Sequence, residues 1–414
     1  MTDAGRVGRF PEGFLWGTAS AAHQVEGDNR NCDWWEFEQQ HGRIANGDTS
    51  GIANDNYHRY REDFALLRRL NQNAHRLSIE WSRIEPSRGE FDARQIRHYR
   101  DVLGDLREQG IEPMVTLHHF TSPIWFASKG GWSAPDAAHG FLPFVRHVVD
   151  QLGDLVGLWC TINEPTIYGA NGWVFGDFPP GRKGDVVGLY RVTSNMRKAH
   201  ELAYGAIKRK WPDAPVGLSH HKLLFLPASD RRRDRWAAQT SQMVLDRWPV
   251  APGRLRRIVE STCDYIGIAH YWGQMCAFDA RRPRDQFIRR FNVPGRPVTD
   301  MGLSADPSWM RTVLKELREF GKPVYITENG LATGDDEWRS RYITETLANV
   351  LLAIGDGVDV RGYFHWTNTD NFEWARGYAT RFGLIEVDRK SLERTIKPSG
   401  HLYGRIAAAN ALPD

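Results

Sequence analysis

The chain has little cysteine. Only Cys32, Cys160, Cys263 and Cys276 occur in 414 residues, with no Cys-x-x-Cys spacing and no histidine pair beside them, so neither a zinc site nor a disulfide framework is indicated. Buried free thiols are expected. Long hydrophobic runs are missing as well. No stretch approaches the ~20 apolar residues of a membrane span, and Met1 to Phe10 carries two arginines but no apolar core of a secretion signal. These absences read as a cytoplasmic protein with no membrane partner. Neither charge dominates: 54 Lys plus Arg stand against 51 Asp plus Glu, a net charge of +3, which gives no ground for a nucleic-acid partner. No Gly/Ser-rich linker or low-complexity segment divides the sequence, so residues 1–414 read as one domain, although the length alone would allow two or three. The oligomeric state is not legible in the sequence.

Aromatic residues, in contrast, are plentiful. The 16 Trp and 13 Tyr exceed what a core needs, and rigid amphipathic rings suit the apolar faces of sugars or other flat ligands. Eight strand-like runs follow one another: Phe14–Ala22, Ala74–Ser82, Glu112–His119, Leu155–Glu164, Ala214–His221, Cys263–Tyr271, Pro323–Glu328 and Val360–Thr367. Their spacing is too long for hairpins, and amphipathic patterns of helical period lie between most of them. Examples are Tyr57–Leu70, Asp92–Gln109 with Ile96, Tyr99, Val102, Leu103 and Leu106, and Val186–Lys210. Strand then helix, eight times, predicts a (β/α)8 TIM barrel, an α/β fold. The stretches from Pro165 to about Gly184 and from Trp272 to about Pro307 are too long for simple turns. Both follow strands and belong at the functional mouth.

Two of the runs stop on a glutamate: Thr161-Ile162-Asn163-Glu164-Pro165 and Tyr325-Ile326-Thr327-Glu328-Asn329-Gly330. In a parallel barrel these are the ends of strands 4 and 7, which open on one face. Two carboxyl groups across a cleft suit glycoside hydrolysis, where one protonates the leaving oxygen and the other works on the opposite face of the sugar. An isolated strand-end glutamate is more often a salt-bridged or solvated residue, so the wider context has to carry the reading.

That context is a set of motifs. Phe14-Leu15-Trp16-Gly17-Thr18-Ala19-Ser20 leads to Gln24-Val25-Glu26-Gly27; Arg76 to Ile84 reads Arg-Leu-Ser-Ile-Glu-Trp-Ser-Arg-Ile; Thr116-Leu117-His118-His119 closes the third run. The eighth carries Trp366, then Asp370-Asn371-Phe372-Glu373-Trp374, then Arg381-Phe382-Gly383-Leu384. With the two glutamate motifs, from Phe14 to about Leu402, the chain resembles glycoside hydrolase family 1, the β-glucosidase family. The resemblance implies a retaining β-glycosidase, with Glu328 as nucleophile supported by Arg76 and Glu164 as acid and base. It implies sugar binding by Gln24, His119 rather than His118, Asn163 at the 2-hydroxyl, Tyr271, Trp366 under the ring, and Glu373 with Trp374 on its hydroxyls. Phe372 and Trp34 are read as core. No metal or other cofactor is called for, and the partner is a small β-glycoside or oligosaccharide.

Departures from the family pattern are Ala269 where Asn is usual, Thr166 where many members have Trp, and Phe120 in place of a common Trp. They leave the aglycone unspecified. Arg281, Arg282, Arg284, Arg289, Arg290 and Arg296 form a basic loop after Tyr271, read as solvated, with an acidic aglycone as the sharper alternative. His220 and His221 end the fifth run and are read either as ligand contacts or as hydrogen-bond partners behind the site. Glu373 points to a neutral sugar, because an ionised carboxylate within ~4 Å of a 6-phosphate costs about 4 kcal/mol at an effective dielectric near 20. Alternatives are a transglycosidase on the same site, a silent sugar-binding barrel and, more remotely, a metal-dependent barrel enzyme.

Overall fold

A computed structural model of the chain describes residues 8–243, 259–282 and 286–413. Arg284 and residues 1–7 of the N-terminal stretch lie outside the described residues. Eight parallel strands close a barrel: β1 Leu15–Ala19, β2 Ala74–Ser78, β3 Glu112–His118, β4 Leu158–Asn163, β5 Val216–His221, β6 Ile266–Ala269, β7 Val324–Asn329 and β8 Val360–Trp366. Each pairs with its sequence neighbour, and β1 closes the ring on β8 with Ala19 opposite Trp366. The eight expected runs thus correspond to the eight barrel strands.

The intervening helices follow the expected periods. Helix Ala93–Glu108 buries Ile96, Tyr99, Val102, Leu103 and Leu106, the stripe that the 3.6-residue period defines. Asp92 caps it by accepting from the Arg94 N–H at 2.8 Å. Helix Val186–Lys210 has the expected bounds. The first two strands are shorter than their apolar runs, because the chain turns early into the short helices Ala22–Val25 and Trp81–Ile84. Those helices are buried too, so hydrophobicity alone does not mark where the strands stop.

The Trp272–Pro307 connection is not a plain loop. It contributes strands Gly273–Phe278 and Ile288–Phe291, which join Leu224–Pro227 in a three-stranded sheet. All four cysteines are buried and free. Among the described residues no helix is long and apolar enough to cross a membrane.

Candidate active site

Both glutamates are presented by irregularities in the ladder. Along β7 the register slips between Ile326 and Glu328 against β6, and along β4 it slips between Cys160 and Asn163 against β5. Such bulges re-aim the side chains at a strand end. Glu164 lies in the left-handed region at φ 40° and ψ 57°, which costs a non-glycine residue about 1–3 kcal/mol. Pro165 disfavours the right-handed helical region for the residue before it but favours an extended one, so the surrounding fold holds Glu164 in this conformation. After Glu328 the chain passes so close to the end of β8 that a Cβ on Gly330 would stand 2.1 Å from the Trp366 carbonyl oxygen. Only glycine fits there.

Arg76, on β2, is 1% exposed, and a buried guanidinium must have all five donors satisfied. They are. Nε donates to Thr116 at 3.1 Å, Nη1 to the Thr327 carbonyl at 3.3 Å and to Glu328 Oε1, and Nη2 to Cys160 Sγ at 3.7 Å and Asn163 Oδ1 at 2.7 Å. Asn163 donates to His119 Nε2 at 3.1 Å, and the Tyr271 hydroxyl donates to Glu328 Oε2 at 2.7 Å. Five residues named from separate parts of the sequence therefore form one line: His119, Asn163, Arg76, Glu328, Tyr271. Burial pushes Glu328 up to about 7, while Arg76 and the Tyr271 hydrogen bond pull it back and the charge of Glu164 pushes it further. Burial also holds His119 well below its ordinary value, so it is neutral. Its Nδ1 has no hydrogen-bond partner.

A cavity of about 490 Å³ opens at the C-terminal ends of the strands, lined by Glu164, Glu328, His119, Tyr271, Trp366, Glu373 and Trp374 among others. Arg76, Asn163 and Gln24 are not on its wall. Gln24 stands behind Glu373, donating to Glu373 Oε2 at 3.2 Å and to the Phe372 carbonyl at 2.9 Å, while its own Oε1 is buried without a partner. Glu373 also accepts from Trp366, and burial pushes its carboxyl up to about 8. His118 turns away, accepting from the Trp132 indole at 3.0 Å. Phe372 and Trp34 are fully buried and off the cavity.

Other wall residues were not singled out by sequence: Arg43, Asn171, Asp177, Phe178, Trp272 and Arg376. Most lie in loops whose length signals the mouth without saying which side chains face inward. Thr166 does not reach the wall, whereas its neighbour Ile167 does. Phe120, Phe178 and Trp272 keep that wall aromatic despite the departures. The described arginines of the basic loop are elsewhere: Arg281 pairs with Asp279 at 3.0 Å, Arg289 lies over Phe291 and Arg296 pairs with Asp306 at 2.9 Å. Among the described residues, the cations at the cavity are Arg43 and Arg376. Of the strand-end histidines, His221 meets Glu164, its Nδ1 lying 2.6 Å from Oε1. No group of three or more His, Cys, Asp or Glu able to hold a metal ion occurs among the described residues.

Comparison with known proteins gives this geometry its family. The sequence model described as Glycosyl hydrolase family 1 matches residues 6–255 and 247–412. The chain belongs to glycosyl hydrolase family 1. It is a glycoside hydrolase, and its family 1 relatives include the 1,4-beta-D-glucan glucohydrolase of Thermotoga neapolitana, 33% identical over 98% of this chain and 100% of that protein. Among solved structures, the beta-glycosidase from Pyrococcus horikoshii superposes with a TM-score of 0.90 at 36% identity, covering 98% of this chain and 96% of that one. The beta-glucosidase from Thermotoga maritima in complex with glucoimidazole superposes at 0.93, with 31% identity over 98% of this chain and 100% of that one.

Proposed function

We propose that this family 1 enzyme is a retaining β-glycosidase acting on neutral β-D-glucosides and related galacto- or fuco-configured sugars. The observation that carries the reading is the hydrogen-bonded line from His119 to Tyr271 that grips Glu328, in a cavity that Glu164 also lines. Glu328 attacks the anomeric carbon while Glu164 gives its proton to the leaving oxygen. Water then displaces Glu328 from the glycosyl-enzyme, and Glu164 takes the water proton. Arg76 and the Tyr271 phenol favour the ionised nucleophile that the first step requires. His119 Nδ1 and Trp366 are assigned to the sugar, the indole face lying under the ring, while Asn163, expected at the 2-hydroxyl, stands behind the wall and orients His119.

Glu373 and Trp374 are assigned to the 4- and 6-hydroxyls, with Gln24 orienting Glu373. Burial alters the ground for excluding a 6-phosphate. A carboxyl pushed up to about 8 is largely protonated at neutral pH, and the like-charge argument holds only for the ionised form. Support for a neutral sugar then rests on the uncharged Glu373 carboxyl on the cavity wall, which can donate to and accept from hydroxyls, with the Trp374 indole beside it as a donor. The capture of the T. maritima enzyme with glucoimidazole and with galacto-hydroximolactam supports a gluco- or galacto-configured ligand.

The test is a panel of nitrophenyl β-D-glycosides that includes the 6-phosphate of the glucoside, with the first-formed anomer followed by NMR. The unphosphorylated glucoside is expected to have the higher kcat/KM and to release β-glucose first. Preference for the phosphate overturns the neutral-sugar reading, and α-glucose as first product overturns retention.

A further inference from the structure

The two carboxyl groups differ in what holds them. Among the described residues Glu164 has one side-chain partner, His221, at the end of β5. The Nδ1 to Oε1 distance is 2.6 Å, and the two side chains are 1% and 7% exposed. Glu164 Oε2 has no protein partner among the described residues. The imidazole is fixed on its other side by aromatic rings: Tyr271, nearly parallel at 5.9 Å between centroids, and Trp272 at 5.1 Å. In the ladder, His221 lies opposite Ala269 of β6, and Ala269 lies opposite Glu328 of β7. Four consecutive strands, β4 to β7, thus carry Glu164, this ring, Ala269 and Glu328 in turn.

Among the described residues, the charged or titratable groups near this ring are few. Glu164 comes from the end of β4, and the Tyr271 phenol, with Glu328 beyond it, from the end of β6. Lys222, the next residue, turns to Glu316 at 2.9 Å, and His270 Nδ1 to the Lys222 carbonyl at 2.7 Å. An imidazolium at this distance would hold Glu164 as a carboxylate and leave it no proton to give. The state compatible with an acid is neutral imidazole carrying its proton on Nδ1, with Oε1 as acceptor.

We propose that His221 is a positioning residue for the proton of Glu164: the Nδ1–H bond to Oε1 places the transferable proton on Oε2. This rests on the assignment of Glu164 as general acid and base. When that proton passes to the glycosidic oxygen, as the old C–O bond breaks and Glu328 forms the new one, negative charge appears on Glu164. The His221 bond then becomes charge-assisted and strengthens. In the second step Oε2 receives the proton of the attacking water and the bond relaxes again. His221 therefore acts on an interaction that is stronger in the transition state than in the ground state.

The test is the pH dependence of kcat/KM for a poor leaving group, phenyl β-D-glucoside, and an activated one, dinitrophenyl β-D-glucoside. It compares wild type, His221→Phe, His221→Asn and Glu164→Gln. His221→Phe removes the donor that stabilises the carboxylate left after proton transfer, so the basic limb is expected to move up by about one pH unit. It should slow the phenyl glucoside by on the order of ten- to a hundredfold, and the dinitrophenyl glucoside by much less. His221→Asn keeps an N–H donor and should recover most of both effects. An unchanged basic limb with equal losses on the two substrates overturns the proposal. If His221→Phe does not fold, His221→Ala with added imidazole takes its place: restoration of the limb supports the proposal and no response overturns it. Glu164→Gln separates the two levels. Equal losses on both substrates there remove the acid assignment itself, whereas a loss confined to the phenyl glucoside, with His221 variants behaving as wild type, removes only the role of His221.

Discussion

Glu328 and Glu164 line one cavity and are held in opposite ways. Glu328 sits on a bulged strand end with Arg76 on one oxygen and Tyr271 on the other. Glu164 sits in left-handed backbone with His221 on one oxygen and no protein partner on the second among the described residues. A carboxylate that must carry charge benefits from donors on both oxygens, because each favours the ionised form. A carboxyl that must pass a proton needs one oxygen unencumbered. Two identical side chains are thus suited to different tasks by their neighbours alone.

The largest test of this contrast removes the doubly held group. Glu328→Gly is expected to lose turnover of aryl glycosides by about four orders of magnitude or more. Added azide or formate should restore turnover with inverted product, since a small anion can occupy the place of the carboxylate. Full activity without any anion would sink the nucleophile assignment. Next comes Glu164→Gln, expected to cost about a hundred- to ten-thousandfold on poor leaving groups and little on activated phenols. A Brønsted plot over substituted phenyl glucosides checks it, and equal losses across the series contradict a general acid.

Tyr271→Phe sharpens the comparison on the acidic side. Without the hydroxyl donor, burial pushes Glu328 higher still, so the acidic limb of kcat/KM should rise by about one pH unit while the leaving-group dependence stays as in wild type. A limb that does not move shows that the phenol leaves the charge of Glu328 unaffected. The smallest effect concerns stability. Burial raises Glu373 from its ordinary 4.5 to about 8, so the folded chain retains a proton that the unfolded chain releases. Its contribution is complete below pH 4.5 and is lost as pH rises through 8. Glu373→Gln should flatten the fall of Tm between those limits by on the order of several degrees. Some slope should remain from Asp33, also raised by burial to about 8. A Tm profile parallel to wild type would show that Glu373 is ionised across the range.

Much of the site is legible in the chain because strands are short, periodic and buried. Apolar runs ending on Glu164 and Glu328 locate the two strand ends within a residue or so. Arg76 and Tyr271 can be named because their motifs are contiguous. Arg43, Asp177 and Phe178 are harder to read, since loop conformation is set by contacts with other loops rather than by local period. The two strands within 273–291 were missed for the same reason: they pair with Leu224–Pro227 from a distant loop, and that pairing leaves no local pattern.

By itself the sequence determined the barrel, through eight alternations of strand and helix, and the two carboxyl groups at its mouth. The tertiary structure alone decided how each is held. Arg76 is 252 residues from Glu328 in the chain and His221 57 from Glu164, and closure of the barrel brings these pairs into contact. Hydrogen bonding and desolvation depend on which groups meet in space, so the environments of two chemically identical glutamates diverge only once the strands have closed.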